Sequence, residues 1–237
     1  MPTLHSTPAA AGTTAHPPVL LIHGFAATAE EDFLATGWPE ALAAAGHDVH
    51  AVDLPGHGDS PAVSRHAATT SAVVSALAAV IADLGDEVDV VGYSLGARLA
   101  WELPAATGHV RRLVLGGLSP FEPFAAVDVD AVAAASAGAP AAEPLVGMMA
   151  TMVSAPGRDT ASLLALMAGL GSEPFDPSRG APAVPTLIVR GEDDPMTQGL
   201  EGLASTLPDA RFQTVPGDHR GALDSAEFRA AVVRFLA

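Results

Sequence analysis

The 237-residue sequence contains no cysteine. That excludes disulfide staples, thiolate metal ligands and cysteine nucleophiles. Lysine is absent too. All eleven basic residues are arginine, set against 27 Asp and Glu, and the formal net charge is −16. So acidic a surface repels nucleic acid and anionic lipid, and neither is an expected partner. No apolar run reaches the roughly 18 unbroken residues of a membrane span. Residues 1–18, "MPTLHSTPAAAGTTAHPP", lack the basic start and long apolar centre of a secretion signal. They read as a flexible N-terminal arm, and the protein as cytoplasmic. What is present is apolar material: 49% of the chain is hydrophobic, enough to fill the interior of one domain.

Short apolar runs alternate with longer segments of helical period. "VLLIHG" (19–24), the run over about 48–53, "EVDVVG" (87–92), "HVRRLVLGG" (109–117), "VPTLIVRGEDD" (184–194) and "ARFQTVPGDH" (210–219) have strand length. Between them "EEDFLATGWPEALAAAG" (30–46) reads as helix, with Gly37 and Pro39 breaking or restarting it. "TTSAVVSALAAVIADLG" (69–85) is a second helix with Gly85 as terminator. "DSAEFRAAVVRFLA" closes the chain as an amphipathic helix, with Asp224 as its N-cap. Strand–helix alternation at this spacing implies an α/β fold: a mostly parallel sheet flanked by helices, joined by right-handed crossovers. Ligands of such sheets bind beyond the carboxyl ends of the strands.

In "VVGYSLGARLA" a serine follows one such strand, between Gly92 and Gly96. A sharp strand-to-helix turn brings the positions two before and two after its centre into close quarters, where side chains would clash. Glycines remove that clash and lift the Ser94 hydroxyl clear of the sheet. The amide of Leu95 is left free at the start of a helix, where partial positive charge collects. A serine so placed can attack a carbonyl. The competing role is a tight connection with Ser94 as a cap.

"GYSLG" in this strand–turn–helix setting resembles the nucleophile elbow of the α/β-hydrolase family, Gly-x-Ser-x-Gly. The resemblance covers residues 19–118 and 183–237, the core, and implies the α/β-hydrolase fold. It further implies the order serine, acid, histidine. "PGDHRGAL" offers His219, the one histidine beyond residue 109. "RGEDDPMT" offers the acid, Asp194 by its distance from the glycine, with Asp193 in reserve. "HGF" resembles the oxyanion loop, so the backbone amides of Phe25 and Leu95 are the implied donors, with His23 bracing the loop. "DLPGHGDS" (53–60) also matches, with His57 structural. The family's opening strand hairpin has no clear counterpart before Val19, and is expected to be reduced or missing.

Residues 119–182 carry no strand signal. They read as a helical lid over the strand ends, since a structureless loop of that length is foreign to a compact domain. Met148, Met149, Met152 and Met167, with Phe121 and Phe124, are candidate pocket walls, and favour an uncharged, apolar acyl group. No dinucleotide fingerprint, phosphate loop or metal cage is visible, so no cofactor is expected. The expected substrate is a small ester-type molecule. Thioesterases, carbon–carbon bond hydrolases, lactonases and peroxide-using acyl transferases share the same residues. A receptor-like binding module is the reading from outside enzymology.

Overall fold

Every apolar run singled out above becomes a strand in the computed structural model, which describes residues 1–237. The strands are β1 (Thr3–Thr7), β2 (Val19–Ile22), β3 (Val49–Asp53), β4 (Val88–Tyr93), β5 (Val110–Gly116), β6 (Thr186–Gly191) and β7 (Ala210–Val215). They form one sheet of order β1-β3-β2-β4-β5-β6-β7. All neighbours are parallel except β1, which runs antiparallel to β3. This is the α/β-hydrolase fold that the sequence resembles.

The helices are α1 (Ala29–Asp32), α2 (Trp38–Ala44), α3 (Thr70–Leu84), α4 (Leu95–Ala106), α5 (Val129–Ser136), α6 (Pro144–Val153), α7 (Thr160–Ser172), α8 (Leu200–Ala204), α9 (His219–Asp224) and α10 (Ala226–Leu236). Alternate strand residues feed two cores. Leu20, Ile22, Val90 and Leu113 pack with α3 and α4, while Val19, Leu21, Val91 and Val114 pack with α2 and α10. Burial on both faces explains why these strands are apolar throughout rather than alternating. On the second face the Trp38 indole N–H donates to the Leu223 carbonyl at 3.3 Å, and its ring meets Phe228 edge-on at 5.0 Å. Those contacts fix α2 against α9 and α10. No helix is long and apolar enough to cross a membrane.

Turn chemistry falls where the glycines and prolines stand. Gly37 adopts the left-handed conformation between α1 and α2, with Pro39 in the first turn of α2. Gly85 ends α3. The last helix differs from expectation in its cap. Ser225, not Asp224, accepts the Phe228 amide, because Asp224 is still the final residue of α9.

The opening residues also differ. Thr3–Thr7 of the expected flexible arm pair along β3, in the register Thr3↔Asp53 to Thr7↔Val49. This strand sits at a sheet edge with one face wet, so it alternates and has no apolar run to reveal it. His5 Nε2 lies 2.9 Å from Asp53 Oδ2, and the Thr3 amide donates to Ser60 Oγ at 2.7 Å. The family's hairpin is thus reduced to one strand, and β2 lies inside the sheet rather than near its border. Between β5 and β6 the chain forms α5, α6 and α7 and no strand.

Candidate active site

β4 ends at Tyr93 and α4 begins at Leu95, so Ser94 makes the whole turn. Its backbone stands at φ 54°, ψ −114°. Ser94 and Ala26 are the two non-glycine residues with positive φ. Such a conformation costs about 1–3 kcal/mol and persists only where the surroundings impose it. The flanking glycines show how. A Cβ on Gly92 would overlap the Gly96 carbonyl, and a Cβ on Gly96 would overlap the Ile22 carbonyl of β2. The crowding anticipated across the turn is real, and it extends to the neighbouring strand.

The elements bearing His219 and Asp194 converge on this turn. Asp218 caps α9 by accepting the Arg220 and Gly221 amides, which places His219 at the helix start. The Tyr93 hydroxyl donates to the His219 carbonyl at 2.5 Å. Burial pushes the Tyr93 pKa upward, so its proton stays for that bond. His219 Nδ1 lies 2.7 Å from Asp194 Oδ2, and Nε2 lies 3.0 Å from Ser94 Oγ. The buried Asp194 carboxylate is an acceptor, so Nδ1 carries the hydrogen and Nε2 accepts from the serine hydroxyl. Asp194 Oδ1 accepts the Met196 amide at 2.9 Å, so this residue also caps the 3-10 turn Pro195–Thr197. Asp193 is exposed, and its carboxylate makes no bond to His219. Of the two acids left open by the sequence, Asp194 is the one that reaches the imidazole.

Phe25 and Leu95 both border the cavity that opens at Ser94. The Phe25 amide donates to no acceptor of the protein. Leu95 is the first residue of α4, where an amide has no intrahelical acceptor. The loop holding Phe25 is fixed by two neutral histidines. His23 Nδ1 donates to the Gly24 carbonyl at 2.7 Å, and Nε2 accepts the Leu54 amide at 3.0 Å. His57 Nδ1 donates to the Pro55 carbonyl at 3.1 Å, and Nε2 accepts the Ala26 amide at 3.1 Å. Burial holds both rings neutral, lowering the His23 pKa and taking His57 to about 3. The structural roles expected of His23 and His57 are therefore specific ones: each accepts one amide of the site's loops.

Two contributors had no sequence signal. Asp32, buried at the end of α1, accepts the Gly24 amide at 2.8 Å through Oδ2 and Arg220 Nη1 at 2.5 Å through Oδ1. A run of three acidic residues before Phe33, Glu30 to Asp32, looks like any helix surface in the sequence. Arg98, one turn past Ser94, forms an ion pair with Glu122 and is 4% exposed. Its burial depends on a partner 24 residues away.

The cavity has a volume of about 260 Å³. Phe121, Phe124, Met148, Met149 and Met152 all line it. Phe121 and Met148 are mostly exposed and form its rim, whereas Phe124 is buried. Met167 is not among them: it points into the core between α7 and its neighbours. His5, Asp53 and Asp59 place donor atoms within 4.8 Å of one another, a spacing a metal ion could use. Asp53 Oδ2 there already accepts the Asp59 amide and faces His5, and Oδ1 accepts the Ala29 amide.

Residues 19–232 match the model of the Alpha/beta hydrolase family. No curated protein matches the sequence. The fold is similar to that of a hydrolase from Pseudomonas aeruginosa PA01, with 23% identity, 99% of this chain and 93% of the other covered, and a TM-score of 0.75. An enol-lactonase from Burkholderia xenovorans LB400 is similar at 18% identity, 99% and 96% coverage and a TM-score of 0.75. A thermophilic esterase from Thermogutta terrifontis is similar at 20% identity, 99% and 92% coverage and a TM-score of 0.75.

Proposed function

The chain belongs to the alpha/beta hydrolase family, and from that premise we propose that it is a serine hydrolase cleaving carboxylic esters with apolar acyl groups. The observation that carries the reading is the hydrogen-bond chain Asp194–His219–Ser94, ending on a strained turn beside an apolar cavity. Ser94 Oγ attacks the ester carbonyl carbon while His219 Nε2 takes its proton. Asp194 keeps the imidazole in the tautomer that can accept, then stabilises the imidazolium. The negative charge developing on the carbonyl oxygen is received by the amides of Phe25 and Leu95. A donor of this kind is worth about 3–4 kcal/mol of barrier. His219 returns the proton to the leaving alkoxide. Water, deprotonated by the same ring, then cleaves the acyl-Ser94 ester and frees the acid.

The methionines and phenylalanines around the cavity support an apolar acyl group, and the helices between β5 and β6 act as its lid. A fluorophosphonate probe tests the nucleophile: covalent labelling of the wild type, absent in Ser94→Ala, is expected. A protein that binds esters yet resists the probe is a binding module, not a hydrolase. Parallel panels of oxygen esters, thioesters and vinylogous carbon–carbon substrates of equal acyl length then separate the bond types. Oxygen esters are expected to lead.

A further inference from the structure

Tyr93 is the one tyrosine of the chain. It ends β4 directly before Ser94, and the hydrolytic steps above assign it no part. A phenol buried at the close of a strand carries a hydroxyl that must find an acceptor, whereas phenylalanine would fill the same space without that demand. The Tyr93 ring is 3% exposed and packs against Phe228, with centroids 6.0 Å apart. Its hydroxyl donates to the His219 carbonyl at 2.5 Å, and its ring centroid lies 5.4 Å from that of the imidazole. Burial raises the Tyr93 pKa, and the nearby Asp194 charge adds to the rise, so this donor keeps its proton.

The end of β5 is shaped to hold the ring. A Cβ on Gly116 would stand 2.7 Å from Tyr93 Cδ2, and one on Gly117 would stand 2.8 Å from Cζ and 3.1 Å from His219 Cε1. The two glycines form a slot that admits phenol and imidazole together. His219 needs such a fixture, because α9 has six residues and is entered from a turn at Gly217. Two hydrogen bonds join α9 to the Ser94 turn: His219 Nε2 with Ser94 Oγ, and the Tyr93 hydroxyl with the His219 carbonyl. Both start from adjacent residues and both end on His219. They close a ring in which the hydroxyl sets the histidine backbone, and so the reach of its imidazole.

We propose that Tyr93 is a positioning residue, whose hydroxyl holds the His219 carbonyl and thereby keeps Nε2 within hydrogen-bond reach of Ser94 Oγ. The inference rests on the Ser94 hydrolase reading and adds to it a side chain that acts through His219.

Tyr93→Phe keeps the ring and deletes the bond. On a p-nitrophenyl ester kcat is expected to fall about tenfold at unchanged KM, short of the roughly 10²-fold that a 1 Å misplacement costs. In a His219→Ala background no imidazole remains to be placed, and the loss should vanish. A tyrosine that served packing alone would cost the same in both backgrounds. Proton NMR reads the placement without turnover: the Nδ1 hydrogen of His219, held by Asp194, should give a downfield resonance that broadens or disappears in Tyr93→Phe. Unchanged kcat, or an equal loss with and without His219, overturns the proposal even when the wild type hydrolyses esters and takes the fluorophosphonate probe. A resonance lost in Tyr93→Phe, from a wild type that neither hydrolyses esters nor takes the probe, upholds the positioning and refutes the hydrolase reading instead. If Tyr93→Phe does not fold, absorbance titration of the wild type reads this single tyrosine. It should stay protonated for as long as the protein is folded, and ionisation near the ordinary value of about 10 in the folded protein would overturn the proposal.

Discussion

Replacing Asp194 with asparagine isolates what the carboxylate does, because the structure dictates how the amide must sit. Oδ1 of Asp194 accepts the Met196 amide at 2.9 Å, so an asparagine keeps its carbonyl there. Its NH2 group then faces His219 Nδ1, the position now 2.7 Å from Oδ2. A donor at that point forces Nδ1 to accept, which moves the ring hydrogen to Nε2. Nε2 then presents a hydrogen to Ser94 Oγ and cannot take its proton. The same substitution in the handling of a protease triad costs about 10⁴ in rate through the wrong tautomer. That corresponds to about 5.4 kcal/mol of barrier. We expect a loss of this order in kcat on a p-nitrophenyl ester, with little change in thermal stability, since shape and the Met196 bond survive. Asp193→Asn, on the exposed neighbour, should stay within about twofold of wild type by the usual tolerance of surface sites. Retention of turnover within about tenfold in Asp194→Asn would refute the tautomer argument. It would do so decisively if Asp193→Asn were the damaged variant.

Gly96→Ala should destabilise the fold by about 3 kcal/mol or more in a denaturant melt, because its methyl group would overlap the Ile22 carbonyl of the adjacent strand. Acidification should weaken the protein through His57. Its folded pKa is about 3. An unfolded histidine takes its proton near 6.5, so the unfolded state binds more protons between these values and stability falls as pH drops through that window. At pH 5 the His57 share of the loss is about 2 kcal/mol, read as a steeper fall in Tm for wild type than for His57→Gln. Arg220→Met strips the buried Asp32 carboxylate of its cation beside the Gly24 amide, and should lower kcat more than it raises KM. Adding Asp32→Asn to that variant should recover part of the loss, with a coupling of about 1 kcal/mol in the double-mutant cycle, and strict additivity would disprove the link.

How much of this was legible follows from what each residue depends on. The six parallel strands and Ser94 were readable because local rules govern them: burial on both faces demands unbroken apolar runs, and a tight elbow demands Gly92 and Gly96. His219 and Asp194 were found through the order of motifs, and their meeting is a property of the sheet, since β6 and β7 end side by side. β1 escaped because an edge strand with one wet face needs no apolar run. The Asp224 cap was misassigned because two helices abut, and a cap can only be recognised once the end of the first is known. Asp32 and Arg98 stayed hidden for a different reason. Each is buried by a distant partner, Arg220 and Glu122 respectively, and pairing across such distances leaves no trace in local sequence.

The short strand near the start of the chain has a practical bearing on handling the protein. Thr3–Thr7 is the only cover on the outer side of β3, and His5 and Thr3 tie it to the Asp53–Ser60 turn. Trimming those residues would bare a ladder of amides and carbonyls at the rim of the sheet, a template on which a second molecule could stack. It would also unfasten the turn that carries His57, and through it the seat of Ala26.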